Sequence, residues 1–206
     1  MQAGQLISSV TSRANRYRVL KKLTDRDSLT GLLNHANILR YLERELSVAD
    51  RAGRPVSFAM IDIDHFKKVN DTYGHAVGDQ VILRMTHLIR DRMRRIDYVG
   101  RYGGEEFVLL LPGTVLDAAV TFAERIRECV EKREFTYGDG QTLHRTMSCG
   151  VAAWPHPLIA DQEALIKAAD DALYVAKETG RNRVVRFDSR EFNEHISKNG
   201  TTDRAS

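Results

Sequence analysis

The chain runs to 206 residues, room for one ordinary domain with an appendage and too little for two large ones. Its 31 basic and 28 acidic residues leave a formal charge of +3 without a long basic stripe, weak grounds for nucleic-acid binding and suited to an enzyme of polyanionic small molecules. The apolar share of 42% supports a core, two cysteines are too few for a disulfide scaffold, and no run approaches the ~18 apolar residues of a membrane helix, so a cytoplasmic protein with reduced thiols is expected.

Residues 1–24 are polar, with Leu6, Val10, Tyr17 and Leu20 on a seam that Arg13 interrupts. That pattern predicts a short helical stalk with too few heptads for a coiled coil of its own. The domain proper is expected over 25–188 and a flexible polar tail over 189–206. Helical periodicity runs from Asn34 to about Arg51, and Val56 to Asp64 reads as a buried strand ending in acids. The glycine-containing stretch Tyr73 to Gly78 reads as a link before a helix from about Asp79 to Arg92. Asp97–Val99 and Val108–Leu111 then flank Gly103-Gly104-Glu105-Glu106-Phe107 as a β-hairpin with glycine at its turn and two acids at its tip. An amphipathic helix is predicted over Leu116 to Lys132, strand-like stretches at about 134–138 and 142–153, a helix over Gln162 to Thr179 closed by Gly180, and a last strand over 184–187. This order predicts a β-α-β-β-α-β core of the split-βαβ type, an α/β (α+β) ferredoxin-like fold with a central sheet of about five strands, antiparallel in part, and helices on one face.

Asp62 and Asp64 end the predicted central strand two residues apart, so both point to one face while Ile63 packs on the other. Acids at the end of a buried strand are costly unless solvated, paired or metal-bound. If the hairpin pairs beside this strand, Glu105 meets Asp62 and the two form a hard-oxygen site suited to Mg²⁺ shared with substrate phosphates. A solvated strand end is the bland alternative for either acid alone.

Together with other motifs, the hairpin resembles the signature of the GGDEF-domain diguanylate cyclases in its glutamate variant. The resemblance takes in Asp27-Ser28-Leu29-Thr30-Gly31-Leu32-Leu33-Asn34, Asp62 through Asp71, Gly74-His75 and Gly78-Asp79. It continues through Arg101-Tyr102, Ser148 to Ala152, Ala169-Asp170, Ala172-Leu173-Tyr174, Lys177 and Gly180-Arg181-Asn182, covering about residues 24–187. It implies the nucleotide-cyclase palm and a Mg²⁺-dependent condensation of two GTP into cyclic di-GMP, with Mn²⁺ able to substitute. A two-fold homodimer would bring two domains face to face, with the stalk as its dimerising element.

By the same resemblance, Asp62, Glu105 and the backbone carbonyl of Ile63 would hold the metal, and Glu106 would take a catalytic role as base or ligand. Asn70 and Asp79 would read the guanine edge, whose paired N1 and N2 donors adenine lacks. Lys67, Lys177 and Arg181 would contact the triphosphate, the backbone amides of His65 and Phe66 would cradle it, and Gly103 and Gly104 would let the nucleotide lie against the hairpin. Arg94 and Asp97, spaced R-x-x-D, with Arg125 on the following helix, would bind cyclic di-GMP as a product-inhibition site. Structural alternatives stand beside these roles: an Asx turn at Asn70-Asp71, an N-cap at Asp79, and a helix end favouring basic side chains at Lys177 and Arg181. A catalytically silent module serving as a cyclic di-GMP or GTP receptor is the rival from another class, weakened because the acids and phosphate-binding bases are all present.

Overall fold

A computed structural model describes residues 25–199; the stalk expected over 1–24 lies outside the described residues. Helix α1 (His35–Ala52) starts at Asn34, whose side chain accepts the backbone N–H of Asn37 as an N-cap. Strand β1 (Val56–Ile63) follows, then two helices at a corner, α2 (Phe66–Tyr73) and α3 (His75–Arg90). Strands β2 (Tyr98–Gly103) and β3 (Glu106–Pro112) form the hairpin, followed by α4 (Leu116–Glu131). A small hairpin, β4 (Glu134–Tyr137) and β5 (Gln141–His144), precedes β6 (Met147–Trp154), α5 (Gln162–Glu178), β7 (Val184–Arg186) and α6 (Arg190–Asn199).

The central sheet has five strands in the order β2-β3-β1-β6-β7. All neighbours are antiparallel except β6 and β7, which run parallel. β1 lies at the centre and is buried along its whole length, so its side chains alternate between two cores. Ala59, Ile61 and Ile63 pack with Phe107, Leu109, Val151 and the apolar faces of α3 and α4. Phe58 and Met60 pack with Val108, Leu110, Ala152 and the apolar faces of α1 and α5. The sequence predicts helices on one face; α3 and α4 do share one, but α1 and α5 cover the other. A strand buried on both sides requires that second layer.

The parity of β1 decides where the acids go. Asp62 continues the series Phe58, Met60 and therefore faces the α5 side, while Ile63 turns into the opposite core. α5 lies unusually close to the sheet, because a Cβ at Gly150 in β6 would stand 2.1 Å from the backbone oxygen of Ala169 and 2.2 Å from the backbone nitrogen of Leu173. That approach carries Lys177, near the end of α5, to the end of β1.

Three elements differ from expectation. Helix α3 begins at His75, four residues before the predicted start at Asp79, because the turn is made at Gly74 (φ 81°) alone and Gly78 lies buried inside the helix. Asp79 is therefore an exposed residue within α3 and caps nothing. The stretch 142–153 divides at Arg145-Thr146 into β5 and β6, which belong to different sheets. Residues 190–199, expected within a flexible tail, form α6, whose Phe192 packs toward the α5 core and whose Glu191 Oε1 lies 2.9 Å from Arg183 Nη1. Both cysteines are free, and among the described residues no helix is long and apolar enough to cross a membrane.

Candidate active site

Acidic side chains gather where β1 and β3 end together. Asp62 stands opposite Glu106 in the β1–β3 register and opposite Ser148 in the β1–β6 register. Its side chain is 11% exposed, and Oδ2 lies 2.8 Å from Lys177 Nζ. Burial pushes the Asp62 carboxyl up to about 6; the Lys177 ammonium opposes that rise, and the charges of Glu105 and Glu106 add to it. Burial likewise pushes Glu106 upward, countered by Lys177 and reinforced by Asp170 and Glu105. The three acids of positions 62, 105 and 106 thus feel one another electrostatically, although 42 residues of chain lie between the first and the second.

Asp64, on the same face, is engaged otherwise. Its carboxylate accepts from Thr146 Oγ1 (2.6 Å), Ser148 Oγ (2.7 Å) and the backbone N–H of Asn182 (3.0 Å), and its own N–H donates to the Thr146 carbonyl. Three donors on a buried carboxylate are what such a charge needs to persist away from water. Asp64 therefore ties β1, β6 and the loop after α5 together, and that loop carries Arg181. Arg181 and Asn182 both sit in the left-handed region, at φ 61° and 47°. The Arg181 carbonyl accepts from Arg183 Nε at 3.3 Å.

The hairpin turn consists of Gly104 and Glu105, since the strands continue to Gly103 on one side and start at Glu106 on the other. Gly104 takes φ 38°. Its carbonyl accepts from Arg101 Nε at 2.8 Å, and Nη1 of the same guanidinium reaches both oxygens of Asp27 at 3.2 Å. Asp27 also accepts the backbone N–H and the hydroxyl of Thr30, at 2.8 and 2.7 Å. Partial burial works against its charge, yet the Thr30 hydrogen bonds and Arg101 hold its carboxyl below the usual range. The opening turn of the domain thus braces the acidic tip. Sequence reading lists these residues as motif but assigns them no job, and the same holds for Tyr102 and Asp170, which interact electrostatically near Glu106.

On the other side of β1, His65 (φ 57°) turns the chain into α2. The Phe66 side chain is buried in the core, so only its backbone can serve a ligand, while Lys67 is exposed on the first turn. Asn70 is part-buried on α2, with Oδ1 enclosed and without a hydrogen-bond partner. Asp79 is exposed on α3, beyond the corner. Gly103 has room around it, the nearest atom to a Cβ there being Glu106 Oε2 at 3.6 Å.

The R-x-x-D segment forms a closed turn between α3 and β2. Asp97 Oδ2 accepts the Arg94 N–H at 2.8 Å, and the Asp97 N–H donates to the Arg94 carbonyl at 3.1 Å. Asp97 Oδ1 is buried without a partner, and burial pushes its carboxyl upward. The cleft that Asp97 lines also holds Arg26, Tyr41 and Arg90. Arg125, on α4, lines a cleft with Cys129, Lys132 and Arg92, the last of these two residues of chain before Arg94 on the α3 side.

Among the described residues no three His, Cys, Asp or Glu side chains are grouped at metal-ligand spacing. The donor chemistry at the end of β1 nevertheless suits a hard divalent cation. Asp62 is an oxygen donor whose charge is held at a cost and already draws the Lys177 ammonium, and Glu105 is near enough to repel it. Ile63 has its side chain in the core, so its backbone alone is available. Two carboxylates and a carbonyl, with water and phosphate completing the shell, is a Mg²⁺-like set.

The family model for "Diguanylate cyclase, GGDEF domain" matches residues 24–183. The diguanylate cyclase DosC of Escherichia coli K12 is 42% identical over 159 residues, which are 77% of this chain and 34% of that protein. The response regulator PleD of Caulobacter vibrioides is 44% identical over 160 residues, 77% of this chain and 35% of that protein. The chain thus spans about a third of the length of these curated relatives. The crystal structure of the GGDEF domain of DgcB from Caulobacter crescentus, solved in complex with c-di-GMP, superposes with a TM-score of 0.77 at 35% identity, covering 81% of this chain and 94% of that one.

Proposed function

The chain belongs to the GGDEF family of diguanylate cyclases, and from that premise we propose that this domain condenses two GTP into cyclic di-GMP and two pyrophosphates. The observation that most supports it is the pairing of Asp62 with Glu106 across β1 and β3, with Lys177 against Asp62. In each half-reaction the 3′-hydroxyl oxygen of one nucleotide forms a bond to the α-phosphorus of the other. The bond from that phosphorus to the pyrophosphate oxygen breaks, and the hydroxyl proton passes to a base. Glu106 is the base in this reading, since a carboxylate with raised proton affinity accepts a proton more readily. Asp62, Glu105 and the Ile63 carbonyl would hold Mg²⁺, which when bound polarises the phosphate oxygens and offsets the charge of the leaving group.

Lys67, Lys177 and Arg181 bind the triphosphate, with the amides at His65 and Phe66 at the head of α2 beside them. On binding, Lys177 exchanges the Asp62 carboxylate for phosphate. Asn70 and Asp79 read the guanine edge. One domain takes one GTP, so the working unit is a two-fold homodimer. Product inhibition acts through Arg94 and Asp97, whose unpartnered Oδ1 is an acceptor for guanine donors, with Arg125 on the following helix as the secondary arginine of that site. Incubation of the purified protein with GTP and Mg²⁺ should yield cyclic di-GMP and pyrophosphate, and ATP should yield neither. A verified dimer that makes no product from GTP yet binds cyclic di-GMP tightly would replace the enzyme with a receptor.

A further inference from the structure

Gly78 lies buried within α3 where that helix meets α2. A Cβ built on it would stand 2.0 Å from Asn70 Oδ1, 3.2 Å from Asn70 Cγ and 3.1 Å from Phe66 Cζ, and the first of these is closer than real Cβ atoms come to anything. The Asn70 carboxamide therefore occupies the volume that a side chain at position 78 would fill. Two penalties coincide here. Glycine in a helix interior gives up backbone entropy, and Asn70 Oδ1 is enclosed with no donor facing it. A helix pair selected for stability alone would place alanine at 78 and an apolar residue at 70.

We propose that Gly78 is the positioning residue for base recognition: its missing side chain seats the Asn70 carboxamide against α3, with the Phe66 ring beside it. Gly78 offers no polar side chain and acts only through Asn70, while the next residue, Asp79, supplies the second base contact. The inference rests on the guanine reading above and extends it from the residues that touch the base to the one that sets their depth. None of Lys67, Lys177 and Arg181, the proposed phosphate-binding side chains, is among the atoms nearest this site, and the severe contact is with Asn70, so the main effect of changing Gly78 falls on the base.

The test is Gly78→Ala in the full chain, with equilibrium binding of non-hydrolysable GTP and ATP analogues and of inorganic tripolyphosphate. The variant should bind the GTP analogue at least about tenfold more weakly and lose most of its preference over the ATP analogue. Tripolyphosphate binding should stay within about twofold. In an Asn70→Ala background, Gly78→Ala should cause no further loss. Retained GTP preference, or equal loss of the GTP analogue and tripolyphosphate, overturns the proposal. If Gly78→Ala does not fold, the double variant Asn70→Ala/Gly78→Ala decides: folding supports the steric assignment to Asn70, and failure to fold overturns it. Wild-type protein with no preference for the GTP analogue sinks the guanine reading itself, a result seen before any variant is made.

Discussion

Lys177 Nζ and Asp62 Oδ2 stand 2.8 Å apart, one on α5 and the other at the end of the central strand. The pair joins a proposed triphosphate-binding base to a proposed metal-binding acid. Its carboxylate keeps a raised proton affinity despite the ammonium, because burial outweighs the attraction.

This has a consequence for stability. The folded protein holds the Asp62 proton up to about pH 6, against 3.8 for the ordinary carboxyl. The associated stability is present in full below 3.8 and is lost as pH rises through about 6. Ionised Asp62 thus weakens the ligand-free fold at neutral pH, by up to about 3 kcal/mol. Asp62→Asn should melt higher than wild type at pH 7.5 and show a flatter dependence between pH 4.5 and 7.5. Equal melting curves across that range would remove Asp62 as the titrating group.

Divalent cation should act on the same group from the opposite side. Mg²⁺ should raise the melting temperature of the wild type at pH 7.5 and leave Asp62→Asn unmoved. Turnover should disappear with chelator and in Asp62→Asn.

Asp64→Asn should behave as a stability variant. An amide in place of the carboxylate puts a donor among Thr146, Ser148 and the Asn182 N–H, all of which donate. A loss of about 3 kcal/mol in denaturant unfolding is expected. Turnover of the fraction that remains folded should fall too, because the Arg181 loop loses its tie.

The Asp27–Arg101–Gly104 brace predicts an unusual failure of a charge-conserving change. Lysine cannot reach two oxygens of Asp27 and the Gly104 carbonyl at once. Arg101→Lys should therefore lower kcat about 10- to 100-fold through misplacement of the acidic tip, with KM for GTP changed less than threefold.

Arg94→Ala should abolish product inhibition while leaving the initial rate intact, measured by progress curves with added cyclic di-GMP. The local turn should survive, since the hydrogen bond that holds Asp97 comes from the backbone N–H of Arg94, which alanine keeps.

Local pattern made much of this fold and site readable from sequence. The alternation Phe58 to Ile63 gave a buried strand with Asp62 on a single face, and the apolar spacing of Ala119, Phe122, Ala123, Ile126 and Val130 marked α4. What sequence could not yield was long-range or steric. Asp27 and Arg101 meet 74 residues apart. Two glycines at 74 and 78 look alike as punctuation, yet only the first turns the chain, while the second sits inside a helix to make room for a neighbour. Nothing local distinguishes Asp64, sated by three donors, from Asp62 beside it. Across the division at Arg145-Thr146, Leu143 stays in phase with Met147, Cys149 and Val151, so two strands read as one.

One guanidinium spans from Asp27 to the turn of the acidic tip, held at both ends by bonds no longer than 3.2 Å, while the Arg101 backbone N–H donates separately to the Leu33 carbonyl. A displacement of the chain near residue 27 by the width of one atom would break one end of that linkage and free the turn that bears Glu105. The β-sheet need not distort for this to happen. In such an architecture the entrance of the domain and the acidic tip share one mechanical element, so a tug on the chain near residue 27 would be felt at Glu105.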